Sequence, residues 1–265
     1  MNDDGEGFST QSSVGKKAAG LAIGLLAFFV VKFLFGFGND WFTRQSVTPQ
    51  KLEQALKKDS QLYPAFQVFK FRYPEAYNRF LNEMSNVTKN ATEKQEIEQA
   101  SFNFMRNFIE SKSNSIIFSS SESLKNINKM QLELTNQLKS DDIMACSQFV
   151  MAGLKPGVSL SESAKTKAAN STIAFLEAAF SGDANPTQRN VTELSDADAV
   201  ALIEAMKRAG TPDHIVTSLG VLGAASAADQ CDAGVGMYSG VAALKGEQAA
   251  RLSAFFVSQS LKAPN

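Results

Sequence analysis

The chain has 265 residues, 26 Lys and Arg against 27 Asp and Glu, and 44% apolar side chains. That length allows one or two compact domains, and the composition excludes a wholly disordered chain. A formal net charge of −1 lacks the basic footprint of a nucleic-acid binder, so no nucleic-acid partner is expected.

Residues 1–17 form a polar tail rich in Gly and Ser, expected to be disordered. A transmembrane signal-anchor helix is predicted over 18–38. Its core, AAGLAIGLLAFFVVKFLFGF from Ala18 to Phe37, contains one charge, Lys32. A bilayer core of about 30 Å needs about 20 helical residues, which this stretch supplies. Lys32 lies near the distal end, where its stem can carry the ammonium to the headgroups, and Trp41 and Phe42 follow as an interfacial aromatic anchor. No A-x-A-like cleavage site follows, so the segment reads as an anchor and not as a removed signal peptide. Gly20 and Gly24 are four apart inside the span, the spacing that lets two membrane helices approach closely. They are a candidate transmembrane dimer contact, and a homodimer is one expectation. Lys16 and Lys17 abut the span on its N-terminal side, favouring a cytoplasmic N-terminus and an extracytoplasmic (periplasmic) body at the inner membrane. Arg44, Lys51, Lys57 and Lys58 on the other side nearly balance them.

Residues 39–46 read as a tether, and helix punctuation begins directly after it. Thr48 can cap a helix with Pro49 in its first turn and Val47 stapled onto Leu52. Tyr63-Pro64 and Tyr73-Pro74 mark restarts, and Tyr77, Phe80, Leu81 and Met84 share one face of the next helix. Ile97, Ala100, Phe104, Met105 and Phe108 give another amphipathic helix between Thr92 and Glu110. The Ser-rich stretch from Ser111 to Ser123 is expected to kink or loop. Leu124, Ile127, Leu134 and Leu138 then resume the stripe.

Composition shifts near Ser140–Asp142. Residues 39–140 are rich in Asn, Gln, Lys and Phe, with 14 basic against 11 acidic residues; residues 141–265 are rich in Ala and Gly, with 9 against 13. Two helical lobes, 47–140 and 141–265, are therefore expected. In the second, Asp141 or Asp142 starts a helix ending at Gly153 and Pro156. Ser159 and Glu162 have capping-box spacing before a helix with Ile173, Leu176 and Phe180 that Gly182 closes. Ser195 and Asp198 repeat the device, with Val200, Ile203 and Met206 inside and Gly210 beyond the end. Thr211-Pro212 opens a short helix, and two more follow over Ala228–Leu244 and Glu247–Leu261, with Leu252, Phe255 and Phe256 in the core. No strand-length alternation appears, so the fold is expected to be all-α.

Chemistry is sparse. Cys146 and Cys231 are the two cysteines, and an extracytoplasmic body would permit them to pair as a disulfide; the alternative is two buried thiols. His214 is the single histidine, and with no second His and no C-x-x-C, neither a metal site nor a cofactor is expected. Asp229 and Asp232 flank Cys231 at helical spacing but read as a solvated face. Glu110-Ser111 resembles the Glu-Ser pair of lytic transglycosylases, yet SKSNSIIFSSSESL stands where that family carries its Gly-rich groove segment. Gly234, Gly236 and Gly240 lie inside a predicted helix, with no G-K-[ST] for a phosphate loop, and suit close helix–helix approach. No catalytic residue is assigned, and the sequence points away from an enzyme. The expected function is that of a membrane-anchored interaction protein of the cell envelope, a scaffold, assembly factor or inhibitor contacting other envelope proteins. The alternatives are an envelope enzyme acting on cell wall or lipid, and a cytoplasmic adaptor if the topology is reversed.

Overall fold

The computed structural model describes residues 47–154, 158–191 and 193–262. Every regular element among them is a helix, so the body is all-α. The predicted span, its Gly20 and Gly24, the tail and the tether lie outside the described residues. Among the described residues no helix is long and apolar enough to cross a membrane.

Helix α1 (Pro49–Leu56) starts as its sequence dictates. The Lys51 N–H donates to Thr48 Oγ1 at 3.3 Å, and Val47 and Leu52 are both buried beside the cap. Helices α2 (Tyr63–Arg72) and α3 (Pro74–Asn90) carry Pro64 and Pro74 in their first turns, where the missing N–H costs nothing. With α4 (Lys94–Ser111) they build a core of interlocked rings. Phe69 sits 4.9 Å from Phe108, 5.9 Å from Tyr77 and 6.4 Å from Phe80, which lies 5.3 Å from Phe104. Tilted and edge-to-face pairs like these add about 0.5–1.5 kcal/mol each beyond area burial.

The Ser-rich stretch breaks the helical run as expected, at Lys112 and over 118–120, but between the breaks it also holds a short helix, α5 (Ser113–Ile117). Ser and Asn are weak helix formers, but one turn buries Ile116 and Ile117 together, and that burial prevails. Helix α6 (Ser121–Asp141) is the spine of the molecule; it packs against α7 (Ile143–Ala152), α8 (Glu162–Ala184), α11 (Ala227–Ala243) and α12 (Gly246–Lys262). Leu124, Ile127, Leu134 and Leu138 are buried on it, and so are the polar Asn128, Gln131 and Thr135. These bond inward: Asn128 Nδ2 to Tyr238 O at 3.0 Å, Gln131 Nε2 to Ser171 Oγ at 2.8 Å, and Thr135 Oγ1 to Gln131 O at 2.7 Å.

Two sequence expectations are corrected at α8. Its cap is Ser161, whose hydroxyl accepts the Ala164 N–H at 3.1 Å, and not Ser159. Starting there puts Glu162 in the first turn and leaves Ala164 to face the core. Gly182 does not close the helix, which runs on to Ala184; it lies against α5, where a Cβ would stand 1.7 Å from the Ser115 carbonyl oxygen. A third correction falls on α9 (Asp196–Arg208). Val200 and Ile203 are 55% and 37% exposed, while Asp198, Leu202, Ala205 and Met206 face inward. The rotation follows from Asp198, whose carboxylate is buried against Arg251 Nη2 at 2.9 Å and Gln248 Nε2 at 3.1 Å of α12. Burial alone would push the Asp198 carboxyl up, but these bonds, that from Ser195 and the Arg251 charge hold it below its ordinary value.

A short α10 (Asp213–Ser218) and a 3-10 turn over Leu219–Ala224 complete the chain between α9 and α11. The larger buried cluster runs from Val47 to Val257 and draws on residues either side of 140–142. A smaller one, centred on Leu202, Met206, Ile215, Met237 and Leu252, lies among α9 to α12.

Candidate interaction surface

Cys146 on α7 and Cys231 on α11 form a disulfide, with their Cα atoms 5.4 Å apart, and both residues are fully buried. The seam around it accounts for the proximity. One turn on, Gly234 faces Val150, whose Cγ2 would lie 2.2 Å from any Cβ, so only glycine lets α11 come this close to α7. Ser147 Oγ donates to Gln230 Oε1 across the same seam. Farther along α11, a Cβ on Gly240 would meet Met206 Cγ at 2.7 Å, and one on Gly236 would meet Thr211 Oγ1 at the same distance. The glycines thus serve approach within the molecule. The bridge closes a loop of 85 residues, and in the chain-entropy account a loop of that length stabilises by about 4 kcal/mol.

At the far end of α2 the aromatic core reaches the surface. Tyr73 is 5.0 Å from Phe108 on its inner side and 6.4 Å from Phe180 of α8 on its outer side. The Arg72 guanidinium stacks 4.3 Å from the Phe180 ring centre and 5.3 Å from that of Phe71. Glu177, one turn before Phe180 on α8, holds it in a fork, Nε to Oε1 at 3.1 Å and Nη2 to Oε2 at 2.8 Å. Beside it, Asp183 accepts from Lys112 Nζ at 2.7 Å and Ser115 Oγ at 2.5 Å. Burial raises the Asp183 carboxyl; the Lys112 and Ser115 bonds and the Lys112 charge outweigh it and keep the group below its ordinary value. The result is a rigid plinth under two exposed rings, Phe71 at 78% and Phe180 at 38% exposure. Arg and aromatic side chains held in place at low entropic cost are what interface centres are made of.

The other residues singled out from sequence do not assemble into a reactive site. Glu110, in the last turn of α4, pairs with Arg106 at 3.7 Å. His214 is exposed, its Nε2 3.5 Å from Asp229 Oδ1, and Asp232 pairs with Lys139 at 2.5 Å. Among the described residues no group of three His, Cys, Asp or Glu could hold a metal. Two residues went unread in the sequence. Phe71 falls off the stripe of Ala65, Phe66 and Phe69 that α2 buries, and that phase was the signal. Arg189 gave none: buried in the loop after α8, it donates to Ser119 O at 2.5 Å, Ser121 Oγ at 2.9 Å and Glu247 Oε1 at 2.6 Å, residues 58 to 70 positions away. No family model matches the chain, and neither does any curated protein or solved structure.

Proposed function

We propose that this protein is a membrane-anchored helical interaction protein of the cell envelope, a scaffold, assembly factor or inhibitor that works by protein–protein contact. The observation that carries the reading is the corner of Phe71, Arg72 and Phe180. Two exposed rings, Phe71 and Phe180, flank one arginine that a carboxylate fork already orients, which makes a patch and not a lone surface hydrophobe. The buried disulfide supports an extracytoplasmic body, since such bonds persist in oxidising compartments. The apolar run from Ala18 to Phe37 supports the anchor, with the N-terminus in the cytoplasm and the span in the inner membrane.

A photoreactive residue placed at position 71 of the full chain in its own membranes tests this reading. A discrete covalent adduct with another protein is expected from position 71 and none from the same probe at exposed Glu122 on α6. Equal labelling from both positions, or none from 71, would contradict contact through the corner. Alkaline carbonate extraction tests the anchor separately, and release of the intact chain into the wash would remove it.

A further inference from the structure

Between α6 and α12 lies a narrow, half-open cavity with about 20 Å³ of room for the centre of a water molecule. A single water needs roughly 10–15 Å³ by that measure. Ile127, Phe175, Phe256 and Val257 supply apolar walls, but Gln131 also lines the space and is 2% exposed. Its Nε2 donates to Ser171, whereas its Oε1 is buried with no hydrogen-bond partner among the described residues. Flipping the amide only transfers the deficit to Nε2. Native cores rarely leave such an atom unpaired.

We propose that this cavity holds one ordered water, which donates to Gln131 Oε1 and joins α6 to α12. The chemistry of the walls selects that occupant. Ser253 and Ser260 of α12 line the cavity and spend their hydroxyl protons on the Ala249 and Phe256 carbonyls, leaving oxygen lone pairs for the second water proton. Tyr238 lines it too, and burial raises its phenol well above the ordinary value, so the hydroxyl stays protonated and able to donate to the water. An ammonium ion is disfavoured because no carboxylate among the described residues lines the site. A small apolar molecule would leave the Gln131 oxygen unpaired.

A crystal structure of the full chain, at a resolution that shows ordered water, tests the assignment. A peak about 2.7–3.2 Å from the Gln131 amide is expected, and an empty cavity would overturn it. Ser260→Thr keeps the bond to Phe256 O and adds one methyl group to the wall. If a water is displaced, Tm should fall by about 2–4 °C relative to the exposed control Ser163→Thr; a rise would mean the cavity was dry. Gln131→Met should abolish the peak with the fold intact, and a peak that persists would overturn the bond to Gln131.

Discussion

The two ends of this molecule pack helices by opposite means. Around α2, α3 and α4, large rings fill the gaps and Phe66, Phe69 and Phe80 are almost wholly buried. Around α8 and α11, small residues remove the gaps, with Ala168, Ala174 and Ala178 buried on one helix and Ala233, Gly234 and Gly236 on the other. Ring packing is vulnerable to loss of volume, whereas small-residue packing is vulnerable to its gain. The difference also explains why the exposed corner lies at the ring-packed end. A ladder of rings runs from Phe104 through Phe80, Phe69, Phe108 and Tyr73 to Phe180, so the core itself extends to the surface there.

Substitutions with opposite signs of volume change would sharpen this contrast. Phe69→Ala should cost about 4 kcal/mol in urea unfolding, because it opens a cavity that three helices cannot close. Gly182→Ala should cost about 3 kcal/mol although it adds one methyl, since the atom it meets is a backbone carbonyl that cannot turn aside. Gly240→Ala should be milder, because its nearest contact, Met206 Cγ at 2.7 Å, is a side-chain atom and 1.0 Å more distant than the carbonyl oxygen met at 182. Equal tolerance at 182 and 240 would break the account of close approach.

Removing the bridge by Cys146→Ala with Cys231→Ala should cost about 4 kcal/mol. With both residues fully buried, thiol labelling should need urea as well as reductant. Labelling by reductant alone would show that the seam opens in the native state.

Acid should weaken both regions, the small-residue helices through Asp198 and the ring-packed corner through Asp183. Asp198, Asp183 and Glu247 all have carboxyls held below their ordinary values, Asp198 being the least exposed of the three. Groups with lowered folded-state values add stability that is present above their unfolded values of about 4 and lost as pH falls through the folded ones. Stability should therefore hold from pH 7 to about 5 on their account and decline below about 4. Asp198→Asn should cost about 2 kcal/mol at pH 7, less than a fully buried pair because Arg251 is partly exposed, and should flatten the acid slope. An unchanged slope would contradict the role given to that pair.

Much of the fold was legible in the sequence because its signals are local. Caps at Thr48, Asp142 and Ser195, the prolines at 64 and 74, and the positive-φ Gly153 and Gly210 act within a few residues of themselves. What escaped depends on distant partners. Val200 and Ile203 look like core by hydropathy, yet the phase of α9 is set by Arg251, over 40 residues away. Gln131 and Asn128 interrupt an apolar stripe, and only α8 and α11 show where their amides bond. Phe71 was readable from phase alone, whereas its stacking with Arg72 and Phe180 required α8 to be in place.

The contact role proposed for the corner is tested most directly by recovery of bound protein with the full-length chain, purified from its own cells as wild type and as Phe71→Ala. With its side chain exposed, the variant should unfold within about 0.5 kcal/mol of wild type. Recovery of its partner should nevertheless fall by about tenfold or more, as truncation of an interface anchor does. Equal recovery from two equally stable chains would contradict the role assigned to Phe71, Arg72 and Phe180.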